Sequence, residues 1–524
     1  MIVLVMLVLL SLGAYTFSEL MVSELQGTAM YGRGVETRVF ADSGIEMIAT
    51  VLGNLDELPD GNMYHNPEVF GGQLLRDGGS ARGRGGFVVI APVANDETSS
   101  TVRYGLMNES AKLNINTLAA ADLEEEEARD ALLALPEMTT ELADAILDWI
   151  DKDDELREFG AENDAYEGLG YQAKNGPLES LEELLLVAGV TPWLLFGEDA
   201  NRNGLLDANE DDGENTLPVD NADGTLALGW NAYLTVHSRE SNLRADGSPR
   251  IDLNDGSLDE LFDTLEEEFD EDTAIFIIAY RMFGPIDDGQ ADAAALEGDE
   301  KVRQAAKRIA KAIFSAGKSA GKTVTRGGMN LAVGAQFKVD SLYDLIDAEI
   351  SADIDEVSTT LTSPWTSDAG DMQEYLPDLM DRLSVTGNEF IAGRVNVNEA
   401  RREVLLGIPG MDEELADAII SGQLIDADGQ PLTDAIALRQ TTGWLVMDGL
   451  VDLPRMRELD EFLTARGDVH RAQVVGFFES GGPVSRLEVI IDATQKPPKA
   501  VFVRDLTPLG RGYDRRHLGV FAPQ

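Results

Sequence analysis

The chain has 524 residues, 44% of them apolar and five of them tryptophan, enough for two to four packed domains, which excludes disorder throughout. Its 41 basic against 95 acidic side chains give a formal net charge of −54, which repels phosphate backbones and makes nucleic acid a poor partner. With no cysteine there is neither a disulfide framework nor a thiolate metal site, so stability rests on packing or bound cations.

Residues 1–17 (MIVLVMLVLLSLGAYTF) carry no charge and reach the lower length limit for crossing a hydrocarbon core about 30 Å thick. No basic stretch precedes the apolar run, and no small-residue cleavage pattern precedes Ser18. The segment therefore reads as a retained single-pass anchor rather than a secretory signal. Apolar residues continue at helical spacing to Leu52 without a proline, so the pattern predicts one membrane and stem helix over 1–52. Glycines and prolines mark a loop over 54–86, and Phe87–Ala91 and Val102–Met107 read as strands within a segment 53–110.

A repeat then organises the chain. Leu132–Leu147 (LLALPEMTTELADAIL) and Leu405–Ile420 (LLGIPGMDEELADAII) are identical at most positions. Each follows a strand-like signature, Lys112–Asn116 and Arg394–Asn398, that ends in an asparagine suited to capping a helix. A weaker copy begins at Arg250–Asn254 and runs through Leu258, Leu261 and Leu265 to Ala274–Tyr280. The expected order is a first helical module at 111–230, a strand at Trp230–His237 and a divergent second module within 231–392. A third module at 393–466 follows, closed by helices at Trp444–Leu450 and Met456–Leu463. Lys301–Arg326 is a basic island, read as a solvated helix face that neutralises acidic neighbours. Strands at Val469–Phe478, Ser485–Ala493 and Lys499–Arg504, with a hairpin turn at Gly481-Gly482, complete the chain over 467–524. Strands at the two ends with helices between them imply one sheet interrupted by a large helical insertion, an α+β fold.

Two stretches have the chemistry of hard-cation sites. Asp199–Glu210 (DANRNGLLDANE) follows the twelve-residue calcium loop. Asp199, Asn201, Asn203 and Asp207 supply oxygen ligands, Gly204 the sharp turn, Leu205 its carbonyl and Glu210 the bidentate end. Asp211–Asp223 is too polar and glycine-rich for an exiting helix, so no helix-loop-helix hand is expected. The second stretch gathers Asp148, Asp151, Asp153, Asp154, Glu155 and Glu162. Oxygen donors without imidazole or thiolate favour calcium. The turns at Leu135–Met138 and Ile408–Met411 are those of a helix-hairpin-helix. Acids such as Glu137, Glu141, Asp412 and Glu413 flank them where a phosphate grip needs bases, so they read as packing modules. No nucleophile elbow, phosphate loop or histidine motif appears among His65, His237, His470 and His517, so the chain reads as a non-enzyme.

The anchor, the Asn-x-Asn signatures, Ala143–Asp151, Gly160–Glu162, Tyr171–Pro177 and Ser180–Leu184 together resemble the protein K minor pseudopilins of bacterial type II secretion systems. The resemblance implies an inner-membrane anchor with the bulk of the chain in the periplasm. It also implies a pseudopilin-like antiparallel sheet interrupted by SAM-like helical modules, calcium in the insert, and no nucleic acid. The implied partners are the other minor pseudopilins and the secretion system's inner-membrane platform. The apolar run starts at Met1, so the basic leader and peptidase site of the family lie outside the sequence read. Shaft-building members carry a glutamate at the fifth position of the mature helix, where Val5 stands here, which implies about one copy placed at a tip. The competing readings are a membrane-anchored helix-hairpin-helix protein of DNA uptake and a calcium-stabilised surface hydrolase.

Overall fold

The first helix, Ile2–Gly53, is 52 residues long and changes character along its length. Every residue through Gly32 is exposed. From there Thr37, Phe40, Ala41, Gly44, Ile48 and Leu52 are buried at three- and four-residue spacing, the stripe of a helix lying on a surface. The computed structural model describes residues 1–55, 63–93, 101–119, 123, 125–217, 219–286, 325–355, 357–423 and 439–519.

The surface beneath the helix is an antiparallel sheet. Its order is Gln73–Arg76, Gly85–Pro92, Val469–Phe478, Ser485–Asp492 and Lys499–Asp505. Gly85–Pro92, before the helical insert, pairs directly with Val469–Phe478, after it, with Val474 opposite Val89. Side chains alternate between the faces. Phe87, Val89, Val474 and Val489 pack under Phe40, Ile48 and Leu52 of the stem. Val88, Ile90, Val475 and Phe477 face the other way, toward Leu205, Tyr513 and Leu518. Burying each stem side chain contributes about 1.5–3 kcal/mol of transfer free energy. Two glycines allow the close approach: a Cβ on Gly44 would lie 2.4 Å from the Val474 side chain, and one on Gly476 would lie 2.0 Å from the Thr37 carbonyl oxygen.

The insert is three related modules around one continuous apolar core that includes Leu132, Ile146, Trp230, Leu261, Ile277, Tyr343, Leu405 and Trp444. Each module opens and closes on a two-residue parallel ladder. These are Leu113–Asn114 with Leu234–Thr235, Ile251–Asp252 with Leu383–Ser384, and Val395–Asn396 with Leu463–Thr464. The helix pairs are Glu125–Leu133 with Thr140–Ile150, Leu258–Glu268 with Glu271–Phe283, and Arg402–Leu406 with Glu413–Gly422. In the first and third modules the turn between the helices uses one left-handed residue at the same place, Glu137 at φ 56° and Gly410 at φ 78°. An ion pair repeats as well: Arg129 Nε to Asp144 Oδ1 and Arg402 Nε to Asp417 Oδ1, both 2.6 Å.

The Asn-x-Asn signatures work differently from the expectation. The first polar residue of each, Asn114, Asp252 and Asn396, accepts from the backbone N–H two residues on, and Asn114 thereby caps the short helix Ile115–Leu118. The second asparagine reaches across the module. Asn116 exchanges both amide bonds with Leu178, Asn254 donates to Val339 O and Val385 O, and Asn398 donates to Arg439 O and Ala465 O.

Several predicted elements differ in extent. Val102–Met107 is two short strands, Val102–Arg103 and Met107–Asn108, on different partners. The break comes where Gly105 packs against backbone, since a Cβ there would sit 2.1 Å from Tyr64 O. Trp230–His237 is a turn of 3-10 helix, Trp230–Ala232, followed by the two-residue strand Leu234–Thr235. The closing helices are Trp444–Met447 and Leu453–Leu459, the latter capped by Asp452, and Leu463 belongs to the closing strand. Residues 301–324 of the basic island lie outside the described residues, while Arg326 pairs with Asp263, Nε to Oδ1, at 2.6 Å.

Candidate cation sites at the junction of insert and sheet

The Asp199–Glu210 loop is seated against the sheet. Its left-handed Gly204 (φ 70°) lies so close to Pro92 that a Cβ would stand 2.8 Å from the Pro92 side chain, and Leu205 plugs the sheet face opposite the stem. Gln473 on the central strand donates to Arg202 O at 2.5 Å, the Tyr513 hydroxyl lies 3.2 Å from Asn203 O, and Arg486 donates to Asn201 O. The loop therefore joins the insert to strands from both ends of the chain.

Within it the predicted ligands turn inward. Asp199 accepts the Asn203 and Gly204 N–H groups at 3.0 and 2.8 Å, and Glu210 accepts those of Ala200 and Asp207 at 3.0 and 3.1 Å. The Asp207 carboxylate accepts from the amides of Asn201 and Asn203 at 2.6 and 2.9 Å. Burial pushes the Asp199 carboxyl up to about 6 against the pull of those N–H groups. Burial, then the neighbouring Asp199 and Asp207, pushes Glu210 up to about 7. The Asn201 side-chain oxygen is buried and has no hydrogen-bond partner. Carboxylates held in by backbone amides beside an unpartnered amide oxygen fit a hard cation.

The second cluster is divided. Asp148 Oδ2, Asp151 Oδ1 and Glu162 Oε1 are buried without hydrogen-bond partners, and Asn175 Oδ1 joins them. Arg157 holds the other oxygens of the two aspartates, reaching Asp148 Oδ1 at 2.7 Å and bonding Asp151 Oδ2. Burial raises the carboxyls of Asp151 and Glu162. Gly160 leaves the space that Asp148 occupies: a Cβ there would fall 1.9 Å from Asp148 Oδ2. Asp153 and Asp154 are used otherwise. Asp153 Oδ1 accepts the Glu155 N–H at 2.8 Å, and Asp154 accepts from Asn163 and Asn175 at 3.1 and 2.9 Å. Asp148, Asp151, Glu162 and Asn175 thus offer oxygens that suit a cation. Among the described residues, no three Asp, Glu, His or Cys side chains are assembled as placed to hold one.

Two sets of residues at the junction gave no signal in the sequence. Arg471, on the central strand, bonds Glu109 Oε1 at 2.7 Å and Glu488 Oε1 at 3.0 Å, with all three side chains buried. Burial raises the Glu109 carboxyl, but Arg471 and Lys112 outweigh it and hold it at about 2. The closing threonines repeat one contact: Thr235 donates to Glu109 in module one and Thr464 to Glu240 at 2.7 Å in module three. Arg157 and Asn175 were also missed. Arg157 was detectable as the base inside the acidic run; Asn175 was not.

Comparison with curated proteins gives no significant match. Among solved structures the chain is similar to the GspK–GspI–GspJ complex from the enterotoxigenic Escherichia coli type 2 secretion system. That similarity has 10% identity and a TM-score of 0.36, and covers 92% of this chain and 99% of the other. Residues 111–195, the greater part of the first helical module, match the family model of type II secretion system protein K. Over those residues the chain is similar to the protein K family of type II secretion systems.

Proposed function

We propose that the chain is a non-enzymatic minor pseudopilin that assists protein export from the tip of a type II secretion pseudopilus. The stem helix carries this reading: its first seventeen residues are uncharged and exposed, and its later turns dock on a sheet whose strands enclose the insert. The apolar helix fits a single-pass anchor, here in the inner membrane with the head in the periplasm. Its partners are the other minor pseudopilins and the inner-membrane platform. A head of about 470 residues has a radius of gyration of about 23 Å, against a stem about 10 Å wide. Heads of that breadth crowd one another along a shaft, which favours the tip. Calcium in the Asp199–Glu210 loop, and beside Asp148, Asp151 and Glu162, would replace carboxylate repulsion with attraction and lock insert to sheet.

Purification of the tagged full chain from membranes tests the reading. Minor pseudopilins should come with it in fixed ratio, and a loss of those partners should follow Phe40→Asp, which unseats the stem. Recovery of the chain alone from cells that assemble pseudopili would contradict the proposal.

A further inference from the structure

A cavity of about 360 Å³ lies between the second and third modules, away from both candidate cation sites. Its lining combines apolar Leu342, Met380, Leu383 and Ile391 with Arg250, Arg394 and Arg466. The acids in the lining are already engaged. Glu240 accepts from Thr464 at 2.7 Å and lies 3.4 Å from both Arg394 and Arg466. Asp460 accepts from Ser341 at 2.6 Å, and Asp381 accepts the Ala245 N–H at 2.8 Å.

Arg250 differs from the other two. Its Nε is buried without a hydrogen-bond partner, and it makes no ion pair among the described residues. Burial, then the adjacent Arg466, pushes its guanidinium down to about 10 against the pull of Glu240, Asp381 and Asp468. A chain with 95 acids and 41 bases does not leave an arginine unpaired for want of carboxylates. A buried Nε–H left without an acceptor is costly unless something else supplies one.

We propose that this cavity receives an acidic peptide segment of a partner protein, its carboxylate on Arg250 and a neighbouring apolar side chain against Leu342, Met380 and Leu383. The guanidinium fork accommodates a carboxylate through two parallel bonds. The volume lies at the low end of the range for ligand sites, about 300–1,000 Å³, which suits a couple of residues rather than a folded surface. Exposed Ala245 and Gln440 at the rim let a chain continue outward.

Calorimetry on the full chain in detergent micelles tests this with acetyl-Leu-Glu, amidated at its C-terminus, as probe, acetyl-Leu-Gln, likewise amidated, as its neutral counterpart, and acetate as the free carboxylate. Acetyl-Leu-Glu should bind saturably, and acetyl-Leu-Gln should not. Arg250→Gln should weaken binding by about tenfold or more, with Arg250→Lys in between. Ala245→Glu, at an exposed position, should also block binding by supplying Arg250 with a carboxylate from the chain itself, so the test survives if Arg250→Gln fails to fold. Absence of saturable binding, or binding that neither variant alters, would overturn the proposal. Acetate binding as tightly as acetyl-Leu-Glu would also overturn it, since the cavity would then take a simple anion.

Discussion

Replacing Arg471 by methionine removes the cation from the junction of sheet and insert. Glu109 and Glu488, with side chains 0% and 7% exposed, then keep only more distant bases, Lys112 at 4.0 Å from Glu109 and Arg504 at 3.6 Å from Glu488. Breaking a buried pair from one side costs about 3–5 kcal/mol, because the remaining charge must be protonated or stay unsolvated. The effect belongs to the sheet, so amide hydrogen exchange in Val469–Phe478 is the assay. At about 1.4 kcal/mol per decade, exchange there should accelerate by roughly two to three and a half orders of magnitude. The pH dependence should change sign. In the native chain the folded pKa of Glu109 is held down at about 2, so its stabilisation is full above about 4.5 and is lost as pH falls through 2. Without Arg471, burial dominates and raises that carboxyl, so the variant should gain stability as the solution is acidified toward the carboxylate range. The triple variant Glu109→Leu, Arg471→Met, Glu488→Leu should recover most of the loss. Acceleration below about tenfold in Arg471→Met, or a loss undiminished in the triple variant, would refute the reasoning.

Calcium should raise the melting temperature of the head and chelator should lower it, by about 2.7 kcal/mol of stabilisation at a hundred times the dissociation constant; Glu210→Gln should remove most of the response. Without a cation, the raised carboxyls of Asp199 and Glu210 contribute stability below about pH 4 that is lost as pH rises through about 6 and 7, so melting temperature should fall over that range and calcium should abolish the fall. Gly410→Ala should cost about 1 kcal/mol by thermal melt, since φ is 78° there and the nearest neighbour of a new Cβ, at 3.7 Å, is an ordinary contact; strain alone is at issue. The full chain should give no salt-sensitive shift with duplex DNA, whereas the uptake reading requires one.

Periodicity carried much of the fold into view. The stem, the split sheet and the three helix pairs follow from apolar residues at spacings of 3.6 and 2, and the repeated LADAI segments tied the first and third modules together. What stayed hidden depends on partners distant in sequence. The parallel closing ladders are two residues long, too short for any alternation to register. Arg471 and Glu109 are 362 positions apart, and each alone looks like one charge among many on an alternating strand or turn. The capping role fell to Asn114 and not Asn116 because the cap is set by where the strand ends, and a two-residue ladder ends one asparagine early. The Asp199–Glu210 loop was legible as a candidate because its acids and asparagines are local in sequence. Its second use, as the seat of Leu205 and the anchor for Gln473, Arg486 and Tyr513, needed the sheet in place.

The central claim is placement at the tip, and imaging of labelled filaments tests it most directly. The Asp77–Arg84 loop, whose Asp77 and Arg82 are exposed, can carry a gold or fluorescent probe on the full chain without disturbing the buried face of the stem. A single label at one end of each pseudopilus is the predicted result; label repeating at regular intervals down the shaft would contradict it.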